Sequence, residues 1–322
     1  KRLALDGQNE LAVLLREGWF ELIDRHDGHH AETDSAYADW LRDKGYASKD
    51  PWTDYVIAVT DEKGETRNGW KMRHARLPAR VREEHSETAY TTDRALEFIE
   101  AQGDAPWVLH LSYVKPHWPY IAPAPYHAMF TPEQCLPVKR HAAERGNHAH
   151  PVLREFMQEE VAQSFQQDDC IATVRPAYQG LIAQLDHHLG RVWDTLEKLG
   201  RFDDTLIIFT SDHGDYLGDH WLGEKDLFHE QSAKVPLIIY DPRASADTTR
   251  GTTSDALVEA IDLLPTFLEI AGGKPAGHIL EGRSLTPLLH GQETEWRDYA
   301  ISEYDYSATP MAVKLGVAPR DA

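Results

Sequence analysis

The feature that most constrains this chain lies just past its middle. Tyr178, Leu181, Ile182, Leu185, Leu189, Val192, Leu196 and Leu199 recur with the 3.6-residue helical period, and Gly200 supplies a C-terminal stop. Asp203-Asp204 then turn the chain into "TLIIFTS", residues 205–211, a strand apolar on both faces. Such a strand is stable only inside a sheet that helices cover. The same step occurs upstream, where Thr92 or Asp93 caps a helix with Ala95, Leu96, Phe98 and Ile99 on one face, Gly103 stops it, and "WVLHLSYV" (107–114) follows as a strand. A third strand, "VPLIIY" from Val235, comes after a polar loop, and a helix around Asp255 to Ala271 follows. Helices alternating with apolar strands, without an internal repeat, imply one α/β domain around a mostly parallel sheet.

The first ninety residues are polar, rich in Asp, His, Arg and Trp, and show one clear helix, Asp34 to Lys44, with no readable core. The chain opens on "KRLALDGQNE", without a signal-peptide apolar region, and closes on "MAVKLGVAPRDA", so both ends read as cut. No apolar run reaches the roughly 18 residues that a membrane span needs. The net charge of -20 argues against nucleic acid and anionic membrane surfaces as partners, since both require a basic field. An anionic substrate must then be attracted locally. Two cysteines, Cys135 and Cys170, exclude a disulfide scaffold and fit a reducing, cytoplasmic compartment.

Chemistry concentrates where strands end, because loops diverge there and side chains converge. Asp212 and His213 stand directly after the apolar strand, with Gly214 behind them, and a carboxylate beside an imidazole suits a divalent cation. The bland alternative is a turn, since Asp and Gly favour turns. Lys225 follows in the long polar loop; read alone, it is a solvated lysine. The second constellation is "SYVKPHWPY", Ser112 to Tyr120, where Pro116 and Pro119 stiffen the backbone around His117. A histidine held in this way can give a proton to a leaving group; the alternative is a loop histidine packed between aromatics. The histidine-rich stretches His26–His30 and His141–His150 read as solvated loops, and Asp186, His187, His188 and Asp262 as structural.

The order "KPHWP", "YQGLIAQLDHHLGRV", "TLIIFTSDHGDYLGDHWLGEKDLFHEQSAKVPLIIYDP", "EAIDLLPTFLEIAG", "LEGRSLTPLLHG" resembles the sulfatase family of the alkaline-phosphatase superfamily. "HSETAYTTDRALEFI" and "SEYDYS" make it most similar to the phosphonate monoester hydrolase and arylsulfatase branch. The resemblance covers residues 85–305 as a sulfatase-like core, with 1–84 as a substrate-shaping segment, and implies one alkaline-phosphatase-like catalytic domain, incomplete at both ends. It further implies Asp212 and His213 as ligands of one divalent metal, calcium or manganese rather than zinc. Lys225 would contact the oxygens of the transferred group, His117 would serve the leaving oxygen, and Lys115 would be a neighbouring substrate-binding residue. His229 stands before Glu230 where a tyrosine is common.

The family's nucleophile, a cysteine converted to formylglycine in the pattern C-x-P-S-R, is not matched. "CLPVKR" at Cys135 offers Val138 and Lys139 in place of Ser and Arg, and it follows the "KPHWP" segment instead of preceding it. The nucleophile is therefore expected outside this chain. The implied function is hydrolysis of small anionic sulfate, phosphonate or phosphate esters, compatible with a homo-oligomer; the alternative is a non-catalytic metal-binding or scaffold relative.

Overall fold

The computed structural model describes residues 21–24, 26, 33–146 and 149–304. The opening decapeptide, the C-terminal dodecapeptide, His29, His30, His148 and the end of "SEYDYS" lie outside the described residues. In chain order the elements used below are α1 (Ala36–Asp43), β1 (Ala58–Thr60), β2 (Thr66–Asn68), α2 (Glu87–Gln102), α3 (Pro151–Phe156), α4 (Glu160–Phe165), α5 (Asp168–Lys198), β3 (Ile207–Thr210), α6 (Glu230–Ala233), β4 (Leu237–Tyr240), α7 (Leu263–Ile270) and α8 (Thr286–Leu289). Two compact units form, one from 1–137 with 167–196, the other from 138–166 with 197–322.

In the first unit the polar N-terminal stretch does have a core. Tyr37, Leu41, Trp52, Val56, Ile57, Val81 and Tyr90 cluster, with Trp40, Tyr46, Tyr55 and Trp70 packed against them. Tyr37 and Leu41 come from α1 and Tyr90 from α2, whereas Trp52, Val56, Ile57 and Val81 come from segments that no helical or strand period announces, and each aromatic buries a large apolar area. Helix α1 starts as expected, with the Ser35 hydroxyl accepting from Ala38 N–H at 3.1 Å. Helix α2 starts a turn earlier than its apolar face suggests, because Ser86 caps it through Ala89 N–H. Thr92 instead lies inside the helix and donates its hydroxyl to the Thr88 carbonyl. Helix α5 also extends further back than its apolar period, and Gln184 and His188 on it both bond the Glu83 carboxylate. The antiparallel pair β1–β2 completes this unit.

Residues 107–114, expected as a strand, alternate between half-buried and exposed side chains as far as Tyr113, but they are in no strand and pair with none among the described residues. Period-2 alternation sets the backbone conformation, whereas a ladder also needs a neighbour.

In the second unit β3 and β4 pair antiparallel, Ile207 opposite Tyr240 and Thr210 opposite Leu237. Among the described residues both hydrogen-bonded strand pairs are antiparallel. A parallel return needs a crossover helix, and the connection from β3 to β4 carries only a 3-10 turn at Asp219–Trp221 and the single turn of α6. Coverage is also less than expected on both faces, with Ile238 64% exposed. A separate core joins Met157, Ala162, Tyr216, Leu222 and Leu227, which packs α3 and α4 under the loop between β3 and β4.

The C-terminal helix is shorter than the expected Asp255–Ala271, because Asp262 acts as a hub in place of a mid-helix residue. Its carboxylate, fully buried, accepts from Glu259 N–H at 2.8 Å and Arg283 N–H at 2.7 Å, and holds the Arg297 guanidinium by two bonds of 2.6 Å. Burial pushes this carboxyl up, but those donors outweigh it and hold it below the usual range. Removing one partner of a buried pair leaves an uncompensated charge. Asp262→Ala is therefore expected to lower stability by about 3 kcal/mol, seen as a reduced calorimetric Tm, whereas a loss below about 1 kcal/mol would mark an exposed, dispensable pair.

Candidate functional site

Asp212 and His213 follow β3 directly. The Gly214 N–H donates to the Ser232 carbonyl at 2.8 Å, tying the turn to α6. A side chain at Gly214 would sit 2.0 Å from the Gln231 carbonyl oxygen, so only glycine lets the backbones approach this closely. The Ser211 hydroxyl donates to the His213 carbonyl at 2.7 Å, and the His213 N–H donates to Asp212 Oδ1 at 3.0 Å.

The imidazole orientation carries most of the meaning. His213 Nδ1 lies 2.8 Å from the Gly214 carbonyl, an acceptor, so Nδ1 bears the hydrogen and Nε2 is the donor nitrogen for a metal. Nε2 lies 3.6 Å from Asp212 Oδ2. Two ligands bound at about 2.1–2.4 Å and at right angles on one cation stand about 3–3.5 Å apart, so this pair fits one edge of a coordination shell. Among the described residues no group of three or more His, Cys, Asp or Glu side chains is arranged to hold a metal.

Lys225 stands at the far end of a loop that is held with unusual force. Leu217, His220, Trp221 and Glu224 all take positive φ, between 45° and 65°, each at a cost of about 1–3 kcal/mol. Opposing that strain, the Asp219 carboxylate accepts from Lys139 N–H at 3.0 Å and from the Gln231 amide at 3.1 Å. Arg140 donates to the Gly218 carbonyl at 2.8 Å, and His220 N–H donates to the Lys139 carbonyl at 2.8 Å. The Trp221 ring lies under the Arg140 and Arg145 guanidiniums, at 4.5 and 4.7 Å. The Ser232 hydroxyl donates to the Lys225 carbonyl. His229, the departure from the family's tyrosine, bonds the Tyr216 hydroxyl at 2.9 Å and stacks on His220 with centroids 4.1 Å apart. Burial raises the carboxyls of Glu224 and Asp226, with the charge of Asp226 adding to the rise at Glu224, and Lys225 and His213 offset only part of it. Sequence reasoning passed over these two acids beside Lys225; alternation of acid and base in "GEKD" is their only trace.

In the first unit the turn 114–121 carries His117. His117 N–H donates to the Val114 carbonyl at 3.0 Å, and its Nδ1 lies 2.6 Å from the Trp118 carbonyl, which fixes the hydrogen on Nδ1. Lys115 is not at the surface: it is 8% exposed, and its ammonium donates to the Pro119 carbonyl at 2.8 Å. Glu87, 4% exposed, lies 4.0 Å from that ammonium and accepts from Trp52 Nε1 at 2.9 Å and from His26. His26 is thus part of the interior, against the expectation of a solvated loop, whereas His141 is exposed as expected. Cys135 donates to the Thr131 carbonyl, and burial pushes its thiol pKa up, the reverse of what a thiolate nucleophile requires.

A sulfatase family model matches residues 23–273, and the chain belongs to the sulfatase family. It is 36% identical over 71% of its length to the multifunctional alkaline phosphatase superfamily protein PehA of Trinickia caryophylli, covering 46% of that protein. It is 27% identical to an arylsulfatase of Clostridium perfringens over 91% of this chain and 58% of the relative. The phosphonate monoester hydrolase of Silicibacter pomeroyi superposes with a TM-score of 0.80 at 31% identity, covering 93% of this chain and 59% of its own. The corresponding enzyme of Agrobacterium radiobacter gives 0.74 at 30% identity, over 88% and 56%. The fold is the α/β fold of these alkaline-phosphatase-like hydrolases, and the chain spans about half the length of the relatives it matches.

A pH effect follows from Glu87. Burial pushes its carboxyl up, but hydrogen bonds from His26 and Trp52, with the charges of His26 and Lys115, outweigh this and hold it at about 2. A carboxyl depressed on folding stabilises above its unfolded pKa and loses that contribution as pH falls through the folded value. Urea midpoints of the wild type are expected to fall between roughly pH 5 and pH 2, with Glu87→Gln less stable at pH 7 and flatter across that window. Parallel curves for the two proteins would contradict this.

Proposed function

We propose that the protein is a metal-dependent hydrolase of sulfate monoesters and of phosphonate or phosphate esters. Asp212 and His213 serve as ligands of one divalent cation, Lys225 binds the oxygens of the transferred group, and His117 protonates the leaving oxygen. The nucleophile, a formylglycine, is supplied from outside these 322 residues. The single observation that carries this reading is the Asp212–His213 pair, whose Nε2 is turned to the carboxylate by the bond from Nδ1–H to the Gly214 carbonyl.

Calcium or manganese, rather than zinc, is the cation that the resemblance to the sulfatase family implies; the Asp212 carboxylate suits such a hard cation, and the His213 imidazole is a donor for transition metals such as manganese. When bound, such a cation supplies Lewis-acid stabilisation to the anionic oxygens of the ester. The chain's own residues supply the rest. Lys225 meets negative charge on the transferred group with a cation that the clamped loop orders in advance, so little reorganisation is needed as charge develops. As the S–O or P–O bond breaks, its electron pair moves onto the leaving oxygen, which takes the proton from His117 Nε2. The Trp118 carbonyl, accepting from Nδ1–H, stabilises the imidazolium from which that proton departs. Residues 1–84 are proposed to shape substrate choice. The relatives' names span arylsulfatase and phosphonate monoester hydrolase, which supports an enzyme that accepts both ester classes. Neither Cys135 nor Cys170 is in a disulfide. No described helix is long and apolar enough to cross a membrane.

The test uses the full-length gene product with 4-nitrophenyl sulfate and a phenylphosphonate ester. Chelation is expected to abolish turnover, and calcium or manganese to restore it. Lys225→Ala should lower kcat/KM by about 10²–10³-fold on both esters. Full activity after chelation, or an unaffected Lys225→Ala variant, would instead favour the scaffold reading.

A further inference from the structure

We infer that Lys115 is a positioning residue for His117, held in place by Glu87, and not a group that touches the ester. The inference rests on the proton-donor role proposed for His117. Its starting point is where the three ammonium hydrogens go. One is donated to the Pro119 carbonyl at 2.8 Å, and another reaches the His117 carbonyl at 3.4 Å. The remaining direction belongs to Glu87, whose Oε2 lies 4.0 Å away. A cavity of about 10 Å³, lined by Glu87, Lys115, Ser86 and Gln184 among others, adjoins this gap and has room for one bridging water. An ammonium 8% exposed, with two hydrogens on carbonyls of its own turn and its remaining side facing Glu87, is directed into the protein and away from a substrate oxygen.

What the ammonium does hold is the peptide that orients the imidazole. The carbonyls of His117 and Pro119 flank the Trp118 carbonyl, and Trp118 O accepts the His117 Nδ1 hydrogen at 2.6 Å. The turn is closed again by His117 N–H to the Val114 carbonyl at 3.0 Å and by Ile121 N–H to the Pro119 carbonyl at 2.8 Å. Withdrawal of Lys115 leaves two inward carbonyls without their cation, and the turn must shift to find new donors. That shift moves the acceptor of Nδ1–H, and with it Nε2. Glu87 in turn keeps the buried ammonium charged, and is itself fixed by Trp52, His26 and its place in the first turn of α2.

The experiment compares esters of 4-nitrophenol and of phenol in the full-length protein, because a good leaving group needs little protonation and a poor one needs much. Lys115→Met is expected to lower kcat on the phenyl ester about 10²-fold, to change the 4-nitrophenyl ester less than about threefold, and to leave KM unchanged. On a His117→Ala background the same substitution should cost nothing further, and Lys115→Arg should restore part of the loss. In ¹⁵N-histidine spectra of Lys115→Met the His117 imidazole signals should move while those of the other histidines stay. Equal loss on both esters, a rise in KM with kcat kept, or an unmoved His117 signal would each overturn the inference. If His117→Ala itself slows both esters equally, the proton-donor reading fails, and the imidazole spectrum alone then decides whether Lys115 positions His117. Should Lys115→Met not fold, Glu87→Gln carries the same measurements.

Discussion

A carboxylate taken out of water must be met by donors, and both units are organised around meeting that demand. Glu87 draws in Trp52, His26, Lys115 and the start of α2, segments that share no regular secondary structure. Asp262 does the same for Glu259, Arg283 and Arg297, and Asp219 for Lys139 and Gln231. Where ladders are short, as with strands of three or four residues, such hubs replace them as the means of fixing one part of the chain against another. They also explain why a chain of net charge -20 can hide some of its acids: each buried carboxylate has its own cations or N–H donors.

The parts of this arrangement that were legible in the sequence are those with a period. The apolar spacing of α5 and the doubly apolar run before Asp212 announced the helix-to-strand step, and Gly200 marked the boundary to within a residue or two. What had no period stayed hidden. Trp52, Ile57 and Val81 join the core from segments outside the helices that the sequence announces. Burial inverted the reading of His26, a polar residue in a polar stretch, because its partner Glu87 is 61 positions away. The direction of a given strand pair is not written in composition, which tells which segments are extended; hydrogen-bonded partners decide that β3 and β4 run antiparallel.

Within the candidate site the sequence alone does not tell one lysine from another. Lys115 and Lys225 are both lysines near strand ends, and nothing in composition separates them. The separation is physical. Lys115 has carbonyls of its own turn within reach, so its ammonium can leave water and stay there. Lys225 is carried on backbone that must adopt positive φ at four non-glycine residues, a conformation that persists only because Arg140, Asp219 and the Trp221 stacking over-determine it. Stabilisation invested in one loop geometry is the mark of a side chain whose position matters.

The excess of negative charge then ceases to be an obstacle to binding an anion. At physiological ionic strength exposed charges are screened beyond about 8 Å, so a distant surface carboxylate contributes little at the site. A cation a few ångströms from the substrate oxygens, beside groups that exclude water, interacts through a lower effective dielectric and dominates the local field. Global repulsion slows encounter, and local attraction sets affinity and rate. A chain built in this way can carry a surplus of acids across its surface and still bind a sulfate or phosphonate ester, provided that its few ordered cations are held where charge develops.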